Sequence, residues 1–600
     1  MSAMRTVILL VSLLLPALAP AATRYRIVKV GEAMWFEDSA GKKFFSLGMD
    51  CAGGCYGHWE KQPMEAKRRE WISRSLAEWG FNTAACWSSP SLWQGRYVMD
   101  QIYPSFSPEE MDSFDDASWG WSAQDSVQKE LEGFQGKQEV VGYFLMNEHK
   151  WQTGKLLFFY RSLQPNAPGS GALREFAASF YGNDIRNLNK AWSTSLTGFE
   201  DLCRSIVGEG GVPEDFLNGW RNRVAAKFFE KYASLVRSID PGCLILGERN
   251  AGPPDVEYMK AVAPAFDVIS VNDYNRYGTL NPVYREYFEA TGKPVIITEW
   301  SFSGFDEPGL KSLQNIDVYT QENRAFGYRK YVMNAARAPW MVGMHWFLWN
   351  DYGPWKNRGA IKSRRGREFV PDNNMGLVSH DEKETYRTLV KECARTNREV
   401  EAVHAVAAMP GAKADVLPPP KVVVPRFAKE PKIDGRLEEW KAVPAGKPGL
   451  GNSLRGEPKY AHTYKVAWVP GGLYLAVDAS DSHLDWPGKD WAWEGDYLEV
   501  SLRNGATTTG DSGTGIYMMI SPRGEGGGPH VWSWGEEDMG GVKVARKDRK
   551  GGFTLEAFIP VSYTGMKELA AGNALEGWLS YHNQSDLYDT WWNAPLILAP

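Results

Sequence analysis

Val140-Val141-Gly142-Tyr143-Phe144-Leu145-Met146-Asn147-Glu148-His149 begins as a short apolar run and ends abruptly on polar residues. The run has the pattern of a strand covered on both faces. Such a strand, stopping on Asn147-Glu148-His149, delivers a carboxylate to one rim of a fold. Pro294-Val295-Ile296-Ile297-Thr298-Glu299-Trp300 repeats the design. Two buried strands ending in Glu suit two carboxylates facing each other across a pocket. Cleavage of a glycosidic bond needs such a pair, one to protonate the leaving oxygen and one to attack or to activate water. One strand-end Glu alone reads as a salt-bridge partner, whereas two of them among Trp, Tyr and His read as chemistry.

Outward from these two strands the chain alternates short apolar strands with helical patterns. A preliminary hairpin is expected over residues 25–36. Strands are expected over 44–49, 81–87, 97–103, 140–146, 243–249, 266–272, 294–300 and 340–347. Helices are expected over 65–79, 122–134, 216–239, 256–262, 282–291, 321–336 and 383–403, and residues 173–202 read as a helical insertion lying over the rim. Eight strands alternating with helices predict an α/β fold, a (β/α)8 TIM barrel, in which catalytic groups sit at the C-terminal strand ends. Glu148 then ends strand four and Glu299 strand seven, at one rim. His149, His345 and Arg249 are candidates for biasing which carboxyl holds the proton, and a plain structural hydrogen bond serves equally well for each.

The 600 residues are too many for one core, so at least two domains are expected. Arg5, the apolar run 7–15 and the small residues Ala19-Pro20-Ala21 predict a signal peptide over 1–21 and a periplasmic or secreted protein. Cys51 is too far downstream to be a lipoprotein cysteine, and no later stretch is long and apolar enough for a membrane span. A net charge of −6 gives no reason to expect nucleic acid. The six cysteines, Cys51, Cys55, Cys86, Cys203, Cys243 and Cys393, match no zinc spacing, and the chemistry read here needs no metal or organic cofactor. One disulfide among Cys51, Cys55 and Cys86 fits their placement, with the pairing open.

Residues 406–425 form a linker stiffened by Pro418-Pro419-Pro420. Beyond it the pattern changes to short alternating strands at 464–468, 472–479, 497–502, 515–520, 553–559 and 575–582. These predict an all-β sandwich over 426–600. The 26 Trp of the chain support sugar binding weakly, since an indole face stacks on a pyranose but also fills cores.

Several segments resemble known families. Gly142-Tyr143-Phe144-Leu145-Met146-Asn147-Glu148 and Ile297-Thr298-Glu299-Trp300 look like the acid/base and nucleophile strands of clan A retaining glycoside hydrolases, and Trp79-Gly80-Phe81-Asn82-Thr83 resembles strand two of that clan. Tyr181-Gly182-Asn183-Asp184-Ile185 with Leu188-Asn189-Lys190-Ala191-Trp192 resembles the segment after strand four in family 42 β-galactosidases and agarase-like family 50 enzymes. The resemblance implies Glu148 as acid/base, Glu299 as nucleophile, Asn147 at the sugar 2-hydroxyl, Tyr274 on the nucleophile and Trp346 stacked under the reacting sugar; Arg249, His149, His345 and Trp300 are further candidates for contacting the substrate. The chain departs from the pattern at Met146, where agarase-like relatives often carry Asp, and at Cys86-Trp87, near which many clan members carry an Arg that Arg249 of strand five would replace. Lys432-Ile433-Asp434-Gly435-Arg436-Leu437-Glu438-Glu439-Trp440, with Leu473-Tyr474-Leu475-Ala476-Val477 and Gly495-Asp496-Tyr497-Leu498-Glu499-Val500, looks like a family 9 carbohydrate-binding module. In it Trp493, Trp532, Trp591 and Trp592 are the candidate stacking residues, or buried core. The reading is therefore a secreted retaining β-glycosidase acting on galactose-containing oligo- or polysaccharide. A β-mannanase or β-glucanase of the same clan, or a carbohydrate-binding protein without catalysis, is the alternative.

Overall fold

The computed structural model describes residues 24–55, 64–203, 211–274, 278–304, 317–319, 321–351, 361–362, 368–369, 374–409, 422–445, 462–481, 484, 496–504, 515–533, 539–564, 566–583 and 588–599. The segment read as a signal peptide lies outside them. No helix among the described residues is long and apolar enough to cross a membrane.

The first unit is built on a nine-stranded parallel sheet. Strands one to four are Ser46–Met49, Thr83–Ala84, Tyr97–Gln101 and Val140–Phe144. Strand five comes in two pieces, Leu244–Ile245 and Asn250–Ala251. Strands six to eight are Ile269–Asn272, Val295–Trp300 and Met341–Trp346. The hydrogen-bonded order runs from Leu244–Ile245 through four, three, two, one, eight, seven and six to Asn250–Ala251. Both edges of the sheet are thus pieces of one strand, and Asp267 N donates to Ile245 O (2.8 Å), tying strand six back to strand five. That is a curled, TIM-barrel-like sheet.

Strand two is only two residues long where seven were expected. Polar Asn82 leaves the ladder, its side chain accepting from Leu47 N (2.8 Å) and donating to Phe45 O (2.9 Å). Strand five breaks at Gly247, whose φ of +95° and neighbouring Ser270 Oγ, 2.6 Å from where a Cβ would stand, leave room for glycine alone. Alternate faces of the strands feed two cores. Val141, Phe144, Met99, Leu246, Ile296 and Val342 fill the barrel interior, together with Tyr25, Phe36 and Phe44 of a small three-stranded antiparallel sheet. The other face packs on the surrounding helices, with Ile72, Val127, Phe228, Val262, Tyr287, Val332 and Val400 from seven of them.

The insertion after strand four starts earlier than expected. Helices Thr153–Ser162, Pro168–Phe180 and Ile185–Trp192 pack with the first turns of Glu214–Ile239 around a core of Tyr160, Leu173, Trp192, Phe216 and Trp220. Cys51 and Cys55 form the disulfide, and Cys86 is a free, buried thiol.

The second unit has a six-stranded and a four-stranded sheet. Val466, Leu475 and Leu555 of the smaller sheet share one core with Val500, Met518 and Leu575 of the larger. Val422–Val424, read from sequence as the end of the linker, instead pairs in parallel with Leu596–Leu598 as an edge strand. Its β-branched valines outweigh the prolines before it. Strands His530–Ser533, Lys543–Arg549 and Tyr588–Leu598 were missed because charged, glycine-rich and aromatic residues interrupt their alternation.

Candidate active site

The C-terminal tips of strands four to seven meet at one rim. Past Phe144, strand four stays tied to strand five: Leu145 N donates to Gly247 O (2.8 Å) and Glu148 N to Arg249 O (3.0 Å). Glu148 and Arg249 both take left-handed backbone conformations, with φ of 49° and 52°. That is unfavourable for branched or long side chains and is held only where surrounding bonds fix it. These turns leave Glu148 half-buried at the rim and Arg249 fully buried.

Arg249 organises the floor of the site. Its Nε donates to Asn147 Oδ1 (2.8 Å), its Nη1 to Cys86 Sγ (2.7 Å), and its Nη2 contacts Glu299 Oε1, with Asp50 Oδ2 at 3.5 Å. The Trp87 ring covers the guanidinium at 4.8 Å. The other oxygen of Glu299 accepts the Tyr274 hydroxyl (2.8 Å). Asn272, ending strand six, donates to Glu148 Oε1 (3.1 Å) and Asn147 Oδ1 (3.3 Å), and Thr298 Oγ1 bonds back to Asn272 Oδ1 (2.9 Å). Glu148 and Glu299 therefore belong to one hydrogen-bonded network, linked through Asn272, Asn147 and Arg249.

Burial pushes the Glu299 carboxyl up, Arg249 pulls it down, and Glu148 pushes it up again; hydrogen bonds from Arg249 and Tyr274 favour its charged form. Asp50 is driven well up by burial and also faces Arg249 and Glu299. Two acids sharing one guanidinium do not both ionise readily. The close contact and the Tyr274 bond select Glu299 as the carboxylate and leave Asp50 neutral. Burial likewise keeps the Cys86 thiol and the Tyr274 hydroxyl protonated.

The structure gathers Asn147, Glu148, Arg249, Tyr274 and Glu299 and leaves others aside. Trp346 is 0% exposed, donates Nε1 to Met375 O (3.0 Å) and meets Trp300 edge-on at 4.9 Å. A ring buried on all sides offers no face to a sugar, which corrects the stacking role expected for Trp346; Trp300 ends strand seven with its ring likewise buried, which corrects the substrate contact expected for it. The next residue, Phe347, meets Tyr274 (6.5 Å) and Trp87 (6.0 Å) and is the ring on the site's side. His345 lies inside the barrel, Nε2 on Ser46 Oγ (2.9 Å), pressed so closely on Gly48 that a Cβ there would stand 2.3 Å from its ring. His149 turns away to Glu109 Oε1 (3.0 Å). Trp532 is half-buried in the second unit, with His530 stacked on it. Trp493 lies outside the described residues, as do the side chains of Trp591 and Trp592. Sequence reasoning missed Asn272, Asp50 and Cys86 as members of the network, although each stands at or just past the end of a barrel strand.

No family model matches the chain. β-Agarase B of Vibrio sp. (strain JT0107) is 24% identical over 361 residues, covering 54% of this chain and 35% of that protein. β-Agarase A of the same strain is 25% identical over 368 residues, with the same coverage. The chain resembles β-agarases. It spans about a third of the length of these two agarases, 35% in each case. In fold it is similar to the crystal structure of an agarase, with a TM-score of 0.52 and 18% identity over 64% of this chain and 66% of that one. An exo-β-agarase matches with a TM-score of 0.51 and 18% identity over the same shares.

Proposed function

We propose that the protein is a retaining β-glycoside hydrolase, secreted, that cleaves galactose-containing oligo- or polysaccharide of the kind β-agarases take, with Glu299 as nucleophile and Glu148 as acid/base. One observation carries the reading: Glu299 is held on both oxygens, by Arg249 and by Tyr274, while Glu148 shares its network through Asn272. A structural salt bridge needs no such orientation of both carboxyls.

The chemistry follows from the roles. Glu299 attacks the anomeric carbon as the glycosidic bond breaks, and Glu148 gives its proton to the leaving oxygen. The glycosyl–Glu299 ester is then opened by water, whose proton returns to Glu148 as Glu299 leaves. Arg249 and Tyr274 fix the lone pairs of Glu299 and take back its charge when it is released. Asn147, anchored by Arg249, is placed for the sugar 2-hydroxyl, and Phe347 for the ring face. The second unit is read as a carbohydrate-binding domain joined to the first by the Pro-rich stretch of chain between Ala408 and Val422.

A panel of aryl β-glycosides and β-linked galactans, with products identified, tests the substrate. Proton NMR of the first-formed anomer tests the mechanism: β first means retention, and α first means inversion by a water between more distant carboxyls. Glu148→Gln and Glu299→Gln should each lower turnover by at least about a hundredfold while the fold survives. Near-normal turnover in either variant removes that residue from the mechanism.

A further inference from the structure

The tip of strand five carries two buried charged side chains on opposite faces. Arg249 points into the site. Glu248 is only 2% exposed and points away, where its Oε1 accepts the hydroxyl of Tyr258 (2.5 Å) from helix Val256–Val262. Its Oε2 and the Nε1 of Trp151 are both buried, and a hydrogen bond from the Trp151 indole is among the forces that favour the charged carboxyl. Trp151 stands three residues after Glu148. Its ring packs edge-on against His149 (5.1 Å), Phe229 (6.1 Å) and Tyr258 (6.2 Å). On the far side of the same turn, Glu109 Oε1 receives both His149 Nε2 (3.0 Å) and the backbone N of Gln152 (3.3 Å).

Burying a carboxyl costs stability that Tyr258 and Trp151 return only in part, since the group stays raised despite both. Stability alone therefore does not explain a carboxyl here. Position does. The carbonyl of the next residue, Arg249, accepts the Glu148 N–H (3.0 Å), and the residues that follow Glu148 lean on Tyr258, the partner of Glu248. We propose that Glu248 is a positioning residue for the acid/base, holding the turn 148–152 from behind through Tyr258, Trp151 and the Arg249 carbonyl. The inference rests on the glycosidase reading above.

The groups that face Glu248 are Tyr258, His149, Trp151 and Arg221, the last on helix Glu214–Ile239 and paired with Asp255 (2.7 Å); Glu109 faces His149. Burial raises the Glu248 carboxyl to about 7, against the opposing pull of Tyr258, His149, Arg221 and Trp151.

The test compares kcat/KM on two β-glycosides, one with a dinitrophenolate leaving group, which departs without a proton, and one with an alkyl leaving group, which needs it. Glu248→Gln should cut kcat/KM for the alkyl glycoside by about tenfold or more and for the dinitrophenyl glycoside by less than about threefold, since acid catalysis contributes only where the leaving group is poor. The alkaline limb of the pH profile for the alkyl glycoside should move, and Tyr258→Phe should reproduce the selective loss in milder form. Equal losses on both substrates, or none, with an unmoved pH limb, make Glu248 merely structural and overturn the proposal. If Glu248→Gln does not fold, Tyr258→Phe alone decides by the same comparison. A wild type inactive on both glycosides and on the galactan panel overturns the glycosidase reading itself, and this inference with it.

Discussion

Replacing Arg249 with Met removes the positive charge from a fully buried site and leaves every neighbouring acceptor in place. Three nitrogens of the guanidinium serve Asn147, Cys86, Glu299 and Asp50. Removing one member of a buried ion pair costs about 3–5 kcal/mol, because the survivor stays buried and charged or must take up a proton. The second route gives the variant a signature. Burial already raises Glu299, and losing Arg249 raises it further. A carboxyl whose folded pKa lies above its unfolded value keeps its full stability below the unfolded pKa, and loses stability as pH rises through the folded one. The deficit of Arg249→Met relative to wild type should therefore be small near pH 4, where Glu299 and Asp50 are protonated in any case, and reach about 3–5 kcal/mol near pH 8. Arg249→Lys keeps the charge but loses the fork, and about 2–3 kcal/mol for the charged hydrogen bonds it no longer makes, with little dependence on pH. Urea unfolding followed by Trp fluorescence at pH 4, 6 and 8 measures both, and kcat on an aryl β-glycoside should fall with the same pH trend in Arg249→Met. An Arg249→Met deficit equal at all three pH values, or within about 0.5 kcal/mol of zero at pH 8, would refute the assignment of Glu299 as the carboxylate that Arg249 holds.

Tyr274→Phe removes one of the two grips on Glu299 and should cost about 1–2 kcal/mol of transition-state stabilisation, a tenfold drop or so in kcat/KM; unchanged steady-state kinetics would exclude Tyr274 from the site. Gly48→Ala places a methyl 2.3 Å from the His345 ring and should lower stability by about 1–3 kcal/mol in urea unfolding. His345 is pushed down to about 3 by burial and by Arg249, so its share of stability is present above pH 6.5 and lost as pH falls towards 3; His345→Gln should lower the pH at which the fold is lost on acid titration. A chain ending at Met409 retains the whole first-unit core and should keep its activity on a small aryl glycoside while losing efficiency on polymer, where a second binding site raises local substrate concentration; an insoluble or inactive product would mean that the barrel depends on the second unit.

Much of this protein is legible in its order of residues. Apolar runs such as Val140–Phe144 and Val295–Trp300 are local patterns, and their alternation with helices such as Ala66–Glu78 and Glu214–Ile239 predicts the curled parallel sheet. The strand ends then place Glu148 and Glu299 at one rim, because in such a sheet every strand runs the same way. What the sequence could not specify depends on contacts between distant segments. Arg249 reads as a strand-end charge until strand five breaks at Gly247 and turns it onto Glu299, 50 positions away. Trp346 and Phe347 are neighbours in a run of aromatics, and only the pleat, together with the Met375 carbonyl that takes the Trp346 indole, decides that Phe347 faces the site. Asn272 and Asp50 look like ordinary polar strand ends until Glu148 and Arg249 are set beside them. Side-chain periodicity is written along the chain, so the strands and helices could be read from it; the site's hydrogen-bond partners lie 25 or more positions apart, so they appear only when the sheet curls.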